Sequence, residues 1–256
     1  MEDPAARFYQ RSFERSVTAG EGENYRDEAS IKRGTHRYSA AFAHLKDNQH
    51  QIVLEMGYGG YGIIKMLAPL AREYHIVDVV DRTGTLGLPS NVCQYQANLD
   101  NPFPFADAQF DTLIAMTVIE HLYDPFHAFG EVARVTRPGG DLFVNLPNIA
   151  ALRCRLQLLM GRMPITSTPQ WFDMREWDGS HLHYFTVSDV RRIGALYGLE
   201  LVNLCPVGRT TAHKALRPAL FCHEITYHFR KAMGGGLPWV KPRSCSIGER
   251  AWRSFF

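Results

Sequence analysis

The sequence contains no apolar run long enough to cross a bilayer. Of its 256 residues 45% are apolar and 21% charged, the proportions of a globular protein, yet nowhere do about 18 consecutive apolar side chains occur. A strong charge of either sign is also missing. The net charge of +2 is too small to argue for a nucleic-acid partner. No basic, then apolar, leader is seen: Glu2 and Asp3 stand where a secretory segment would be positive, so no signal peptide is expected. The cysteines, Cys93, Cys154, Cys205, Cys222 and Cys245, are odd in number, widely spaced and without C-x-x-C. A disulfide framework or a zinc ribbon is therefore not expected, and a reducing, cytoplasmic setting is. Internal repeats are absent.

What is present is an alternation of short apolar runs with amphipathic stretches. "QIVLEM" (51–56), "HIVDVV" (75–80), "NVCQYQAN" (91–98), "FDTLIAM" (110–116) and "DLFVNLP" (141–147) read as strands, and "LELVNLCPV" and "HEITYHFRK" as two closing ones. Helices are predicted from about Tyr61 to Glu73, with a kink or early stop at Pro69, over 124–136 with Asp124 as N-cap and Pro125 at the first position, and over 186–198 with Thr186 or Ser188 as cap. Strands alternating with helices imply a parallel sheet covered on both faces. Ahead of it, Ile31, Tyr38, Phe42 and Leu45 fall on one face of a helix from Asp27 to Asp47, which Gly34 weakens without necessarily breaking.

The division that follows is an N-terminal helical segment (1–48), a core (49–148), an insertion (149–185), completion of the core (186–232) and a basic, aromatic tail (233–256) expected to be mobile in isolation.

"VLEMGYGGYG" (53–62) matches G-x-G-x-x-G at Gly57, Gly59 and Gly62. In open parallel sheets ligands bind beyond the carboxyl ends of the strands, and glycine lets backbone approach a ligand closely. Glu55, two residues before the first glycine, discriminates between ligands. A carboxylate there repels a pyrophosphate and suits a cationic ligand such as S-adenosylmethionine. The bare glycine pattern alone leaves a dinucleotide, and hence an NAD-dependent oxidoreductase, open. An acid about 20 residues past the glycines should hold a ribose; Asp78 and Asp81 both fit, with Asp78 favoured on spacing and the other a loop cap.

"LEMGYGG" resembles motif I of class I S-adenosylmethionine-dependent methyltransferases, [D/E]-x-G-x-G. "NPFPFADAQFDTLIAMTVIEHLYDPFHAFGEVARVTRPGGDLFVNLPN" (101–148) resembles the segment of their type 11 group that reads P-L-P-F, F-D, E-H-L and R-V-L-K-P-G-G. The resemblance spans roughly Leu54 to Thr186. It implies an α/β, Rossmann-like, doubly wound and mostly parallel sheet of seven strands, the last antiparallel, with an N-terminal helix and a helical, aromatic insertion after strand five.

It further implies S-adenosylmethionine as cofactor, held by Glu55, Gly57, Tyr58, Gly59 and Asp78 or Asp81. Asn98 would accept from the adenine amino group or serve only as a turn residue; Leu99 would offer its N–H to the ring, and Met116 would line the methionine half or belong to the core. The glycine usual two positions after Gly59 is Tyr61 here.

For the transferred methyl group, His121 in "IEHL" either packs beside it or caps a helix. "DGSHLHYFT" (178–186) resembles the family's G-H-x-x-x-F-T and offers His181 and His183 as candidate catalytic bases, or as interior histidines. "HLH" lacks further ligands at useful spacing, so no metal is expected.

The insertion supplies Arg153, Arg155 and Arg162 for acidic groups and Trp171 and Trp177 for sugar stacking, unless these are only a solvated basic face. Its pattern resembles methyltransferases of cell-envelope glycan synthesis, implying O-methylation of a sugar hydroxyl. A small metabolite or lipid-like acceptor, or a non-catalytic cofactor-binding partner subunit, is the alternative. Peripheral membrane contact through the tail is a further possibility.

Overall fold

A computed structural model describes residues 28–57, 60–79, 87–167, 172–173, 175, 177–209 and 212–234. Tyr58, Gly59, Asp81, Trp171, the segment 1–27 and all but the first two residues of the tail lie outside the described residues. The elements run α1 (Glu28–Lys32), α2 (Ser39–Asp47), β1 (Ile52–Met56), α3 (Tyr61–Leu67), β2 (Glu73–Asp78), β3 (Val92–Gln96), β4 (Phe110–Met116), α4 (Pro125–Val135), β5 (Thr136–Pro147), α5 (Leu152–Leu159), α6 (Val187–Leu196), β6 (Leu199–Pro206), α7 (Ala212–Leu216), α8 (Pro218–Phe221) and β7 (Glu224–Lys231).

The seven strands form one sheet in the order β3-β2-β1-β4-β5-β7-β6. β1 pairs in parallel with β2 and β4, and β7 runs antiparallel between β5 and β6. This is the doubly wound α/β sheet expected from the alternation, with the last strand reversed. The strand order turns back between β1 and β4, and there the glycine turn emerges.

Strand side chains alternate between faces, and β1 shows the consequence. Leu54 and Met56 join Leu113, Ala115, Leu142, Val144 and Phe129 on one face. Val53 joins Ile63, Ile64, Tyr74, Ile76, Ile114 and Phe143 on the other, under Tyr38 and Leu45 of the N-terminal segment. The same alternation aims Glu55 toward that second face.

Local chemistry sets the boundaries. Asp124 caps α4 through its carboxylate, accepting from the N–H groups of Phe126 (2.8 Å) and His127 (3.1 Å), an arrangement worth about 1 kcal/mol. Thr186, not Ser188, caps α6, in a reciprocal capping box with Asp189.

The helix after β1 stops early, as Pro69 led one to expect: it ends at Leu67 and continues only as a 3-10 turn, Ala68–Leu70, where Pro69 cannot donate. Two expectations need correction. The single helix over 27–47 is two, because Gly34 turns the chain at φ +79°. The "RPGG" run does not precede β5 but lies within it: the strand starts at Thr136, opposite Phe110, and shifts register before Asp141 meets Thr112. The short helices α7 and α8, between β6 and β7, were not anticipated.

Candidate active site

The carboxyl ends of β1, β2 and β4 meet at the glycine turn. Gly57 adopts φ +57°, and a Cβ built on it would stand 2.5 Å from a Val118 methyl carbon. Conformation and space both demand glycine, leaving bare backbone at the mouth of the sheet. Glu55, just inside, is fully buried. Its two oxygens accept hydrogen bonds from the hydroxyls of Tyr38 (2.6 Å) and Tyr74 (2.7 Å). The acid is thus locked in orientation by two tyrosines. Burial and Glu55 together raise the Tyr74 hydroxyl well above the ordinary tyrosine range, keeping it a donor.

Asp78 closes β2 and is 7% exposed. Asn98 accepts from the N–H of Asp100 (3.0 Å), forming the turn after β3, and Leu99 is buried beside it in the core. Met116 ends β4, 3% exposed. The next residue, Thr117, takes the left-handed φ of +56°, and its hydroxyl donates to the Met116 carbonyl (2.6 Å) and accepts from Arg37 (3.0 Å). Arg37 also pairs with Glu224 at 3.0 Å, tying the N-terminal segment and β7 to the end of β4.

One turn beyond Thr117, the 3-10 helix Ile119–His121 presents Glu120 and His121. The carbonyl of Glu120 accepts the N–H groups of Leu182 (2.8 Å) and His183 (3.2 Å). That backbone clip brings the end of the insertion against the turn. The His121 and His181 rings meet edge to face with centroids 4.7 Å apart. His183 is separate: its Nε2 lies 3.2 Å from the Tyr123 carbonyl.

The hydrogen-bond network assigns both tautomers. His121 Nδ1 faces the Ser180 carbonyl at 3.2 Å; a carbonyl only accepts, so Nδ1 carries the proton. The Thr166 hydroxyl donates to Asp178 (2.6 Å) and therefore accepts from His181 Nδ1 (2.7 Å). Asp178 also accepts from the Thr166 and Ser167 N–H groups and the Ser167 hydroxyl. Burial alone would raise its pKa, but these bonds outweigh that and hold it below the ordinary value. Both rings thus direct Nε2 away from their Nδ1 partners.

Glu120 is 0% exposed, and neither side-chain oxygen has a hydrogen-bond partner among the described residues. Burial raises its pKa to about 8. Burial likewise lowers His121 to about 4, and burial with the His121 ring beside it lowers His181 to about 3. Both imidazoles are neutral at pH 7.

Of the sequence candidates, the fold gathers Glu55, Gly57, Asp78, Leu99 and Met116 around the strand ends and brings His121 to His181. His183 does not join them. Arg37, Tyr38, Tyr74, Glu120, Thr166 and Asp178 were not singled out. Glu120 and Asp178 stand inside the quoted strings "IEHL" and "DGSHLHYFT", but spacing carries no sign of burial.

Residues 54–144 match the family described as "Methyltransferase domain". A probable S-adenosylmethionine-dependent methyltransferase of Mycobacterium tuberculosis is 41% identical over 100 residues, 38% of this chain and 35% of that protein. The chain thus spans about a third of the length of that curated relative. An S-adenosylmethionine-dependent methyltransferase from Mesorhizobium loti shares the fold, with TM-score 0.57 at 14% identity over 76% of this chain and 98% of that one. So does the 1,6-didemethyltoxoflavin-N1-methyltransferase of Burkholderia thailandensis, solved with S-adenosylhomocysteine, with TM-score 0.55 at 17% identity over 87% of each chain. Residues 54–144 thus match a methyltransferase domain, and the sheet order with its glycine turn after β1 is the fold these S-adenosylmethionine-dependent methyltransferases share.

Proposed function

We propose that this protein transfers a methyl group from S-adenosylmethionine to a hydroxyl of a sugar, in cell-envelope glycan or nucleotide-sugar synthesis. The observation carrying the reading is the glycine turn flanked by two buried acids, Glu55 and Asp78. Such a donor set fits the ligand. Gly57 would admit the amino-acid end to bare backbone, Glu55 would favour its ammonium group, Asp78 would accept from the ribose hydroxyls, Leu99 would cover the adenine and Met116 would line the methionine chain. When bound, the cofactor supplies a methyl group on a positively charged sulfur. The protein's own share is positioning and handling of the acceptor proton.

Calorimetric titration with S-adenosylhomocysteine tests the cofactor assignment. Binding is expected, weakened about tenfold or more by Asp78→Ala through loss of charged hydrogen bonds. No binding, or a nicotinamide fluorescence response instead, overturns it. Transfer of labelled methyl to nucleotide-sugars and glycan fractions tests the acceptor. Turnover confined to acceptors without a sugar would refute that part.

A lipid-linked acceptor has its own support. α5 exposes Leu156, Leu158 and Leu159, followed by Met160 and Met163, next to Arg153, Arg155 and Arg162. Apolar side chains beside cations suit an anionic amphiphile. Faster turnover with a lipid-linked sugar than with its soluble counterpart, reduced by Leu159→Ser, distinguishes this from a soluble substrate.

A further inference from the structure

We propose that Glu120, His121 and His181 form a binding site for one divalent first-row transition-metal ion, beside the carboxyl end of β4. One potential ligand atom from each residue lies within 4.8 Å of the others. Two imidazoles and one carboxylate are the donor set of open catalytic zinc sites, which leave a further position for an oxygen ligand. Bonds of about 2.0–2.1 Å to each would bring the ligand atoms to about 3.4 Å apart, an inward movement of about an ångström that side-chain rotation supplies.

The carboxylate is the independent sign. Buried polar groups are ordinarily hydrogen-bonded, and each exception calls for a reason. Glu120 is wholly buried, both oxygens lack a hydrogen-bond partner among the described residues, and Oε1 lies 4.0 Å from His181 Nε2, beyond hydrogen-bond distance. A cation at that point removes the anomaly.

The surroundings are those of a prepared site. Metal-ligating histidines characteristically donate their second N–H to a carbonyl or to a carboxylate-linked group. Here His121 Nδ1 donates to the Ser180 carbonyl, and His181 Nδ1 to Thr166, whose hydroxyl is itself committed to Asp178. The charged groups facing Glu120 beyond this cluster are Arg37 and Glu224, which pair with each other and bring little net charge.

The strained segment fits the same account. Asp178, Gly179 and Ser180 take consecutive left-handed φ values of 40°, 60° and 64°. Such strain persists where the surrounding structure enforces it, here through the bonds that Asp178 accepts from Thr166 and Ser167. The ion's task, an inference resting on the methyltransferase reading, is to hold an oxygen of the acceptor at its open position; binding of the ion does not depend on that reading.

The test uses the full chain, stripped with a chelator and checked for native circular dichroism. Zn²⁺ is titrated against a chromophoric chelator, and Co²⁺ is added for its visible absorption. Uptake of a single equivalent with Kd below about 1 μM is expected, with an intense low-coordinate cobalt spectrum. Glu120→Gln and His181→Ala should weaken uptake at least about 100-fold, and Thr166→Ala, outside the ligand set, by about 10–100-fold. Asp141→Asn, at the other histidine cluster, should leave it unchanged.

No uptake by the wild-type chain overturns the proposal. So does uptake that survives both Glu120→Gln and His181→Ala, or that disappears with Asp141→Asn. Calorimetry with S-adenosylhomocysteine on the same stripped protein separates the two ideas. Cofactor binding without metal uptake refutes only the metal site, and metal uptake without cofactor binding refutes only the methyltransferase reading.

Discussion

Two carboxylates, each flanked by two histidines, sit at opposite ends of one sheet and are treated in opposite ways. At the amino end, Asp141 stands opposite Thr112 near the start of β4. It accepts from His228 Nε2 (2.6 Å) and Arg230 (3.0 Å), with His44 at 3.7 Å. Burial alone would raise its pKa, but these partners outweigh that and hold it below the ordinary value. At the carboxyl end, Glu120 follows β4 with no hydrogen bond to either oxygen among the described residues.

Each cluster is one carboxylate and two imidazoles, and both acids are buried. The difference lies in the guanidinium: Arg230 donates to Asp141, whereas Arg37, which faces Glu120, gives it no hydrogen bond, and neither does any other described residue. The first cluster is finished as structure. The second is an unsatisfied group that costs stability, and such costs concentrate at functional sites.

The comparison can be broken in several ways. The largest effect is expected from Gly57→Val, at the carboxyl end. The new side chain would meet Val118 in a backbone region where β-branched residues are strained. Affinity for S-adenosylhomocysteine should fall about 100-fold or more, read by calorimetry, while melting stays cooperative. An unchanged affinity would separate this turn from the cofactor.

Next is Asp141→Ala, which strips His228 and Arg230 of their shared acceptor. A loss of about 2–3 kcal/mol is expected by urea denaturation, below the full cost of breaking a buried pair because Arg230 is half exposed. Glu120→Gln should act in the opposite direction. With metal excluded by chelator, it should stabilise by about 1–2 kcal/mol at pH 6. A destabilisation of that size would show that Glu120 has partners after all.

The two acids also titrate with opposite sign. The folded pKa of Glu120, about 8, is raised above its unfolded value. Its contribution is therefore fully present below about pH 4.5 and is lost as pH rises through 8, with Arg37 and Glu224 the other charges facing it. Wild type should thus fall progressively behind Glu120→Gln between those limits. Asp141 is depressed, by His228, His44 and Arg230. Its contribution is present above the unfolded value of about 3.9 and is lost as pH falls through the lower folded one, so the deficit of Asp141→Asn should close in acid. The smallest effect is Tyr74→Phe, which removes one of the two donors to Glu55: about 1 kcal/mol of stability, measured by thermal melting.

Periodicity carried the fold well because it reports burial directly. "QIVLEM" and "FDTLIAM" are strands flanked on both faces, and a chain that must bury both sides of a strand has little freedom to hide the fact. The expected helix at 27–47 failed for an equally local reason. A glycine's choice of φ is set by what the flanking segments pack against, and Gly34 turned so that Tyr38 could reach Glu55. In the site, Gly57 and Asp78 could be found by spacing along one strand-turn unit. Glu120 with His181, and Thr166 with Asp178, could not: the residues of the first pair are 61 positions apart in the chain, and their meeting depends on a backbone clip between the 3-10 turn and the insertion.

By itself the sequence determined the alternation of strands and helices, the glycine turn and its neighbouring acids. Each of these is written in short-range pattern, where side-chain period and backbone freedom act over a few residues. Only the tertiary structure decided which polar groups would find partners in the interior. It committed Glu55 to two tyrosines and Asp141 to an arginine, and left Glu120 facing two imidazoles. Satisfaction of a buried charge depends on what other elements deliver to it across space, and no local pattern encodes that.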